Sequence, residues 1–173
     1  DLKGKLLETP VYELLGGPVK DDIFCYASIT MLRYKTSDYM DWFLELGFKA
    51  VKVFLRHGPD EGLAGLNKNV GIIANTREQI GPDIELAVDS WMSSNIQYAV
   101  RVSEALKPYN IKWLEDYILP EDMDSYSKLR QRIPGQTLAN GEHWYTIHPF
   151  ADDAGRGFGD IMKPDETGVG GPR

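Results

Sequence analysis

Four carboxylates recur along the chain at nearly equal intervals. Asp89 closes IELAVD, Glu115 closes IKWLE, Glu142 closes TLANGE and Asp165 closes DIMKPD, at separations of 26, 27 and 23 residues. Each interval matches one strand, one helix and two loops, so the spacing predicts successive acids on successive strands at one level. Carboxylates converging there repel strongly unless a cation neutralises them. All-oxygen ligands select a hard ion, and Mg²⁺ suits the role because it keeps positions open for substrate and water. His143 directly follows Glu142 and adds a group that titrates near neutral pH. The competing reading is that acids at strand ends cap the helices that follow. Asp116, Glu121, Asp122 and Asp124 read as a solvated loop and helix start.

The elements that must hold these groups alternate in type. Apolar runs at 23–29, 49–55, 84–91, 111–118, 137–143 and 160–166 read as strands. Between them lie helical patterns such as DYMDWFLELG, LNKNVGIIANTREQIG, NIQYAVRVSEALKPY, DMDSYSKLRQRI and HPFADDAG, several of which stop at Gly or Pro. An opening stretch reads as the end of a helix stopped by Gly16, Gly17 and Pro18. Strand–helix alternation implies right-handed crossovers and a parallel sheet. The Gly-rich turn of a dinucleotide fold does not follow the first strand. The expectation is therefore an α/β chain forming a partial TIM-type (β/α) barrel, with about six of the eight strands.

Composition narrows the partners. With a formal charge of −7 and 42% hydrophobic residues over 173 positions, the chain reads as a globular protein able to bury a core. Its acidic balance argues against nucleic acid. No apolar run approaches membrane-spanning length, and DLKGKLLETP lacks the order of a signal peptide, so no membrane association and a cytoplasmic location are expected. The single cysteine, Cys25, forbids an internal disulfide and, within IFCYASI, reads as a buried strand residue.

Two reaction classes fit the acids. A glycoside hydrolase uses paired carboxylates without a metal, and Trp91, Trp113, Trp144 and Tyr145 offer faces for sugar rings. Three regularly spaced acids exceed that need, and suit a metal-assisted enzyme acting on a carboxylate substrate.

The motifs PVYELLGG at 10–17, GFKAVKVFLRHGP at 47–59, VDSWMS at 88–93, KWLED at 112–116, NGEHW at 140–144 and IMKPD followed by GVGG at 161–171 resemble the enolase superfamily. The likeness is to its mandelate racemase branch, and within that to the L-rhamnonate dehydratases and related sugar-acid dehydratases. The resemblance implies a modified barrel with a capping domain built from the two chain ends. On it, residues 1–20 form the end of a capping-domain or linker helix, and 21–173 a partial enolase-type barrel.

Mg²⁺ ligands would be Asp89, Glu115 and Glu142. A Lys-x-Lys pair on the preceding strand is reduced here to Lys52-Val53-Phe54, as the resemblance implies for dehydratases that rely on histidine. Lys52 would contact the substrate carboxylate or pair with a neighbouring strand acid. His143 would be an active-site acid, and Asp165 would orient a histidine on the next strand. That histidine is not among His57, His143 and His148; His57 reads as site-lining or loop, and His148 as a helix start. The implied reaction is α-proton abstraction followed by loss of the 3-hydroxyl, giving a 2-keto-3-deoxy sugar acid. Racemisation, cycloisomerisation or a noncatalytic remnant of the scaffold are the alternatives. The last barrel units and the N-terminal capping domain are expected to be lacking, so the chain is expected to act as a homo-oligomer or with the remainder of the enzyme.

Overall fold

The computed structural model describes residues 2–29, 36–166 and 168–169. Two short helices, α1 (Leu2–Leu6) and α2 (Val11–Leu14), lead into β1 (Ala27–Ile29). Then follow α3 (Thr36–Glu45), β2 (Ala50–Phe54), α4 (Gly62–Ile80), β3 (Glu85–Asp89), α5 (Ile96–Leu106), β4 (Ile111–Glu115), α6 (Met123–Arg132), β5 (Leu138–Asn140), α7 (His148–Arg156) and β6 (Ile161–Met162). The six strands form one parallel sheet in the order β1-β2-β3-β4-β5-β6. Each strand pairs with its neighbour in sequence, which is the winding of a (β/α) barrel.

Several strands are shorter than their apolar runs. The run at 23–29 pairs only from Ala27 onward, opposite Val51. Ile23 and Phe24 are 79% and 63% exposed, and Cys25 is exposed rather than buried. The strand expected at 160–166 stops at Met162, two residues before Pro164, which has no N–H for a ladder. The run at 137–143 yields a strand only to Asn140, because Gly141 takes φ +121°. Glu142 and His143 therefore lie in a turn beyond the strand, not in it.

Side-chain alternation sends the two faces of the sheet to different tasks. Val51, Val53, Leu86, Val88, Leu114 and Leu138 face the helices and join Ile73, Val102, Leu106 and Leu129 in the main core. The other face holds a small cluster of Ala87, Trp113 and Ala139, with Tyr26 and Ile161 against it. Tyr26 and Trp113 meet edge to face at 5.4 Å. A register shift between β3 and β4 pairs Leu86 with Ile111 but Val88 with Leu114. That bulge lets Ile111 pack against the helix-side core while Trp113 and Glu115 take the inner face.

On α5, helical spacing predicts a buried face of Ile96, Ala99, Val100, Ser103 and Leu106, and the observed face is rotated slightly from it. Tyr98, Ala99, Val102, Ser103 and Leu106 are the buried members. Tyr98 wins a place because its hydroxyl donates to the His57 carbonyl, 2.8 Å away. Asn69 completes this knot: its Oδ1 accepts from Arg56 N and its Nδ2 donates to His57 O. At the opposite end of the sheet, Arg77 donates to the carbonyls of Tyr109, Gly81, Ile84 and Asn110. Arg130 does the same for Phe158 and Gln136 and pairs with Asp160.

Gly141 is required by both conformation and space. A Cβ there would stand 2.9 Å from Phe150 Cε1 and 3.3 Å from Lys163 N, at a φ that L residues rarely adopt. Gly141→Ala should cost about 1–3 kcal/mol of unfolding free energy. Urea denaturation beside Gly135→Ala, where an added Cβ meets nothing within 4 Å, checks this; equal stabilities of the two variants would contradict it.

Candidate active site

The middle of β2 and the carboxyl ends of β3 and β4 bring three of the expected side chains into contact. Asp89 and Glu115 are direct register partners, so these two acids stand at one level as their spacing predicts. Lys52 Nζ lies 2.8 Å from Asp89 Oδ2 and 2.6 Å from Glu115 Oε1, and all three residues are buried. Lys52 thus pairs with strand acids in this structure, one of the two roles open to it. Phe54 lies against the same ammonium, its ring centroid 5.3 Å away.

Glu142 arrives differently. Glu115 pairs with Ala139, and Glu142 comes three residues later, carried to the mouth by the turn at Gly141. Its neighbour His143 places Nε2 3.4 Å from both Glu142 Oε1 and Asp116 Oδ2. Asp165 is exposed beyond β6, and its Oδ1 accepts from Gly168 N at 2.7 Å. His57 Nδ1 is 2.8 Å from Glu61 Oε1, and His148 is exposed in the first turn of α7. Helix capping does not account for the ladder: Asn95 caps α5 and Asp122 caps α6.

Two participants escaped the sequence reading. Asp116 is 2% exposed and not part of a solvated loop. In a continued strand it would point away from Glu115, but φ +43° turns the chain at this residue. Lys163, just past β6, pairs with Glu115 Oε1. The lysine in IMKPD carries no periodic or spacing signal of its own. Trp113, read as a sugar-stacking ring, instead donates Nε1–H to Glu115 Oε2 at 2.8 Å.

Burial and charge set the protonation of this cluster. Burial alone would raise Glu115, but the ammonium groups of Lys163 and Lys52 prevail and hold it below the ordinary glutamate range. Asp89 is raised, chiefly by burial, against the pull of Lys52. Burial works to lower Lys52, yet Asp89 and Glu115 together raise it above the usual lysine value. Asp116 is pushed up to about 8, by burial first and then by the charges of Asp89, Glu142 and Glu115.

The donor set suits a hard divalent cation. Asp89, Glu115 and Asp116 offer oxygens within 4.8 Å of one another, and so do Asp116, Glu142 and His143 with one ligand atom each. Asp116 belongs to both groups. Among the described residues, Asp116 Oδ2 is buried without a hydrogen bond, a costly state that a coordinated cation relieves.

Residues 37–173 match the family model for the enolase C-terminal domain-like proteins. The chain belongs to this family. It is 42% identical over 172 residues to an L-rhamnonate dehydratase of Saccharopolyspora erythraea, covering 99% of this chain and 42% of that protein. A solved rhamnonate dehydratase of Gibberella zeae complexed with Mg superposes with a TM-score of 0.79 at 33% identity, over 94% of this chain and 38% of that one. A 3,6-anhydro-D-galactonate cycloisomerase of Zobellia galactanivorans reaches 0.85 at 32% identity, over 99% and 46%. The chain spans less than half the length of these relatives. The expected resemblance and the partial (β/α) barrel are thus both established for this enolase-type domain. No helix among the described residues is long and apolar enough to cross a membrane.

The enolase-type site makes a pH prediction for the metal-free protein. The folded state keeps the Asp116 proton up to about 8, whereas an unfolded chain releases it near ~3.9. Between these values the folded state binds more protons, so stability falls as pH rises through this window. Asp116→Asn should flatten the fall by up to ~1.4 kcal/mol per pH unit. Denaturation in chelator across this range measures the slope; identical slopes for the two proteins would refute the assignment.

Proposed function

We propose that this domain belongs to a Mg²⁺-dependent acid-sugar dehydratase that removes the α-proton and then the 3-hydroxyl of an L-rhamnonate-like aldonate, giving a 2-keto-3-deoxy sugar acid. The convergence of Asp89, Glu115, Asp116, Glu142 and His143 at the mouth of the sheet carries this reading. The identity to an L-rhamnonate dehydratase supports the choice of substrate.

Asp89, Glu115 and Glu142 would hold the ion, with Asp116 as a further oxygen between the two groups. When bound, Mg²⁺ supplies Lewis-acid stabilisation of charge that develops on the substrate carboxylate. Lys52, buried and fixed between two acids, adds positive potential on the same side. His143 is the imidazole among these carboxylates and serves as the acid that protonates the departing hydroxyl. Asp165 is assigned to orienting a second imidazole. Trp113 fixes the Glu115 carboxylate by donating to Oε2.

In this reading residues 1–20 form the end of a capping or linker helix and 21–173 the barrel. The enzyme works in the cytoplasm on a small-molecule acid, as a homo-oligomer or with further barrel units, and takes no nucleic-acid partner. A cycloisomerase or racemase is the second reading, favoured by the superposition with the cycloisomerase. Phe54, where that chemistry would use a second lysine, weighs against it.

Assay of the intact natural protein with Mg²⁺ and a panel of aldonic acids, trapping 2-keto acids with semicarbazide, should show turnover of L-rhamnonate or a close relative. Trp113→Phe should lower metal affinity or activity by roughly 10–100-fold. No turnover of any aldonate would overturn the dehydratase reading, and α-deuterium exchange without elimination would favour the second.

A further inference from the structure

Three of the four acceptor positions of Glu115 are taken in this structure. Its Oε2 accepts from Trp113 Nε1 at 2.8 Å, and its Oε1 receives two ammonium groups, Lys52 at 2.6 Å and Lys163. A carboxylate oxygen has two lone pairs, and both of those on Oε1 are taken. A metal ion that ligates Oε1, the oxygen that Lys52 bridges to Asp89, must therefore expel one of these ammonium groups.

The three donors are not equally held. Trp113 is a strand residue packed between Ala87, Ala139 and Tyr26. Lys52 projects from the middle of β2 with its side chain 5% exposed, and a second acid, Asp89, holds it at 2.8 Å. Lys163 follows the two-residue strand at the sheet edge, its side chain is 17% exposed, and Glu115 is the acid it pairs with among the described residues. An alternative resting place lies close by: its Nζ already stands 5.3 Å from the centroid of the Tyr26 ring, within cation–π range.

We propose that Lys163 is a resident ammonium that neutralises Glu115 in the metal-free site and is displaced when a divalent cation binds. The inference rests on the reading of Asp89 and Glu115 as metal ligands. It gives the lysine two effects. Lys163 relieves the buried carboxylate before the ion arrives, and it competes with the ion for Glu115 Oε1. Removing it should leave a site of unchanged oxygens with one fewer competitor and one fewer repelling charge.

The test is calorimetric titration of Mg²⁺ into the intact natural protein, stripped of metal and without substrate, beside Lys163→Met and Lys163→Arg. Lys163→Met should bind Mg²⁺ about tenfold tighter or more than the wild type, whereas Lys163→Arg, which keeps the charge, should show no gain. Lys163→Gln replaces the Met variant if circular dichroism shows that the latter is unfolded. Mg²⁺ binding by the neutral variant at equal or lower affinity than the wild type would overturn the proposal while leaving the metal reading intact. Absence of Mg²⁺ binding by every protein would overturn the metal reading and the proposal with it.

Discussion

Buried carboxylates at the mouth of the sheet must be neutralised, and that requirement organises the enolase-type domain. Asp89, Glu115 and Asp116 are each at most 2% exposed. Stripping such groups of water costs several kcal/mol apiece unless a counter-charge or a proton compensates. All the compensations are present in different places. Lys52 stands between Asp89 and Glu115, Lys163 adds a second ammonium to Glu115, and Asp116 keeps its proton until about pH 8. A site with this much stored repulsion is prepared for a small cation of higher charge.

Placing the acids falls to the sheet rather than to the loops. Direct register between Asp89 and Glu115 fixes their relative height, and the bulge on β4 ensures that Glu115 and Trp113 share the inner face. Glu142 cannot be reached by register, since β5 ends at Asn140. The backbone reversal at Gly141 brings it to Asp116 and His143 instead. Two carboxylates on rigid strands and a third on a turn would let the proposed site adjust at one corner while the others stay fixed.

Much of this was legible in the chain. Strand–helix alternation revealed the parallel sheet, and acids ending β-rich runs identified Asp89 and Glu115, because pleat and pairing act locally along a strand. What failed were features that depend on where a strand stops. Cys25 lies in an apolar run with the right composition, but that part of the run finds no pairing partner and stays exposed. Asp116 reads as solvated, but one left-handed residue after β4 turns it into the buried cluster. Lys163 is 48 residues from Glu115, and only closure of the sheet toward its sixth strand brings them together. The Lys-x-Lys pair lacks its second ammonium at Phe54, while Lys163, just past β6, brings a second ammonium to Glu115.

The two ends of the sheet carry opposite physical burdens. At the amino end, Arg77 and Arg130 gather loop carbonyls that would otherwise go without donors, and each guanidinium serves several at once. Such contacts favour one geometry and lower the energy of the folded state. At the carboxyl end, like charges crowd, Asp116 is turned through a left-handed conformation, and oxygens remain without donors. Those features raise the energy of the folded state and are tolerable only because the helix-side core and the arginine-bound loops hold the strands regardless. Stability and chemistry therefore draw on different residues along the same strands. A substitution at the arginine end would loosen every strand it touches, whereas one at the acidic end can relieve repulsion and still destroy the site.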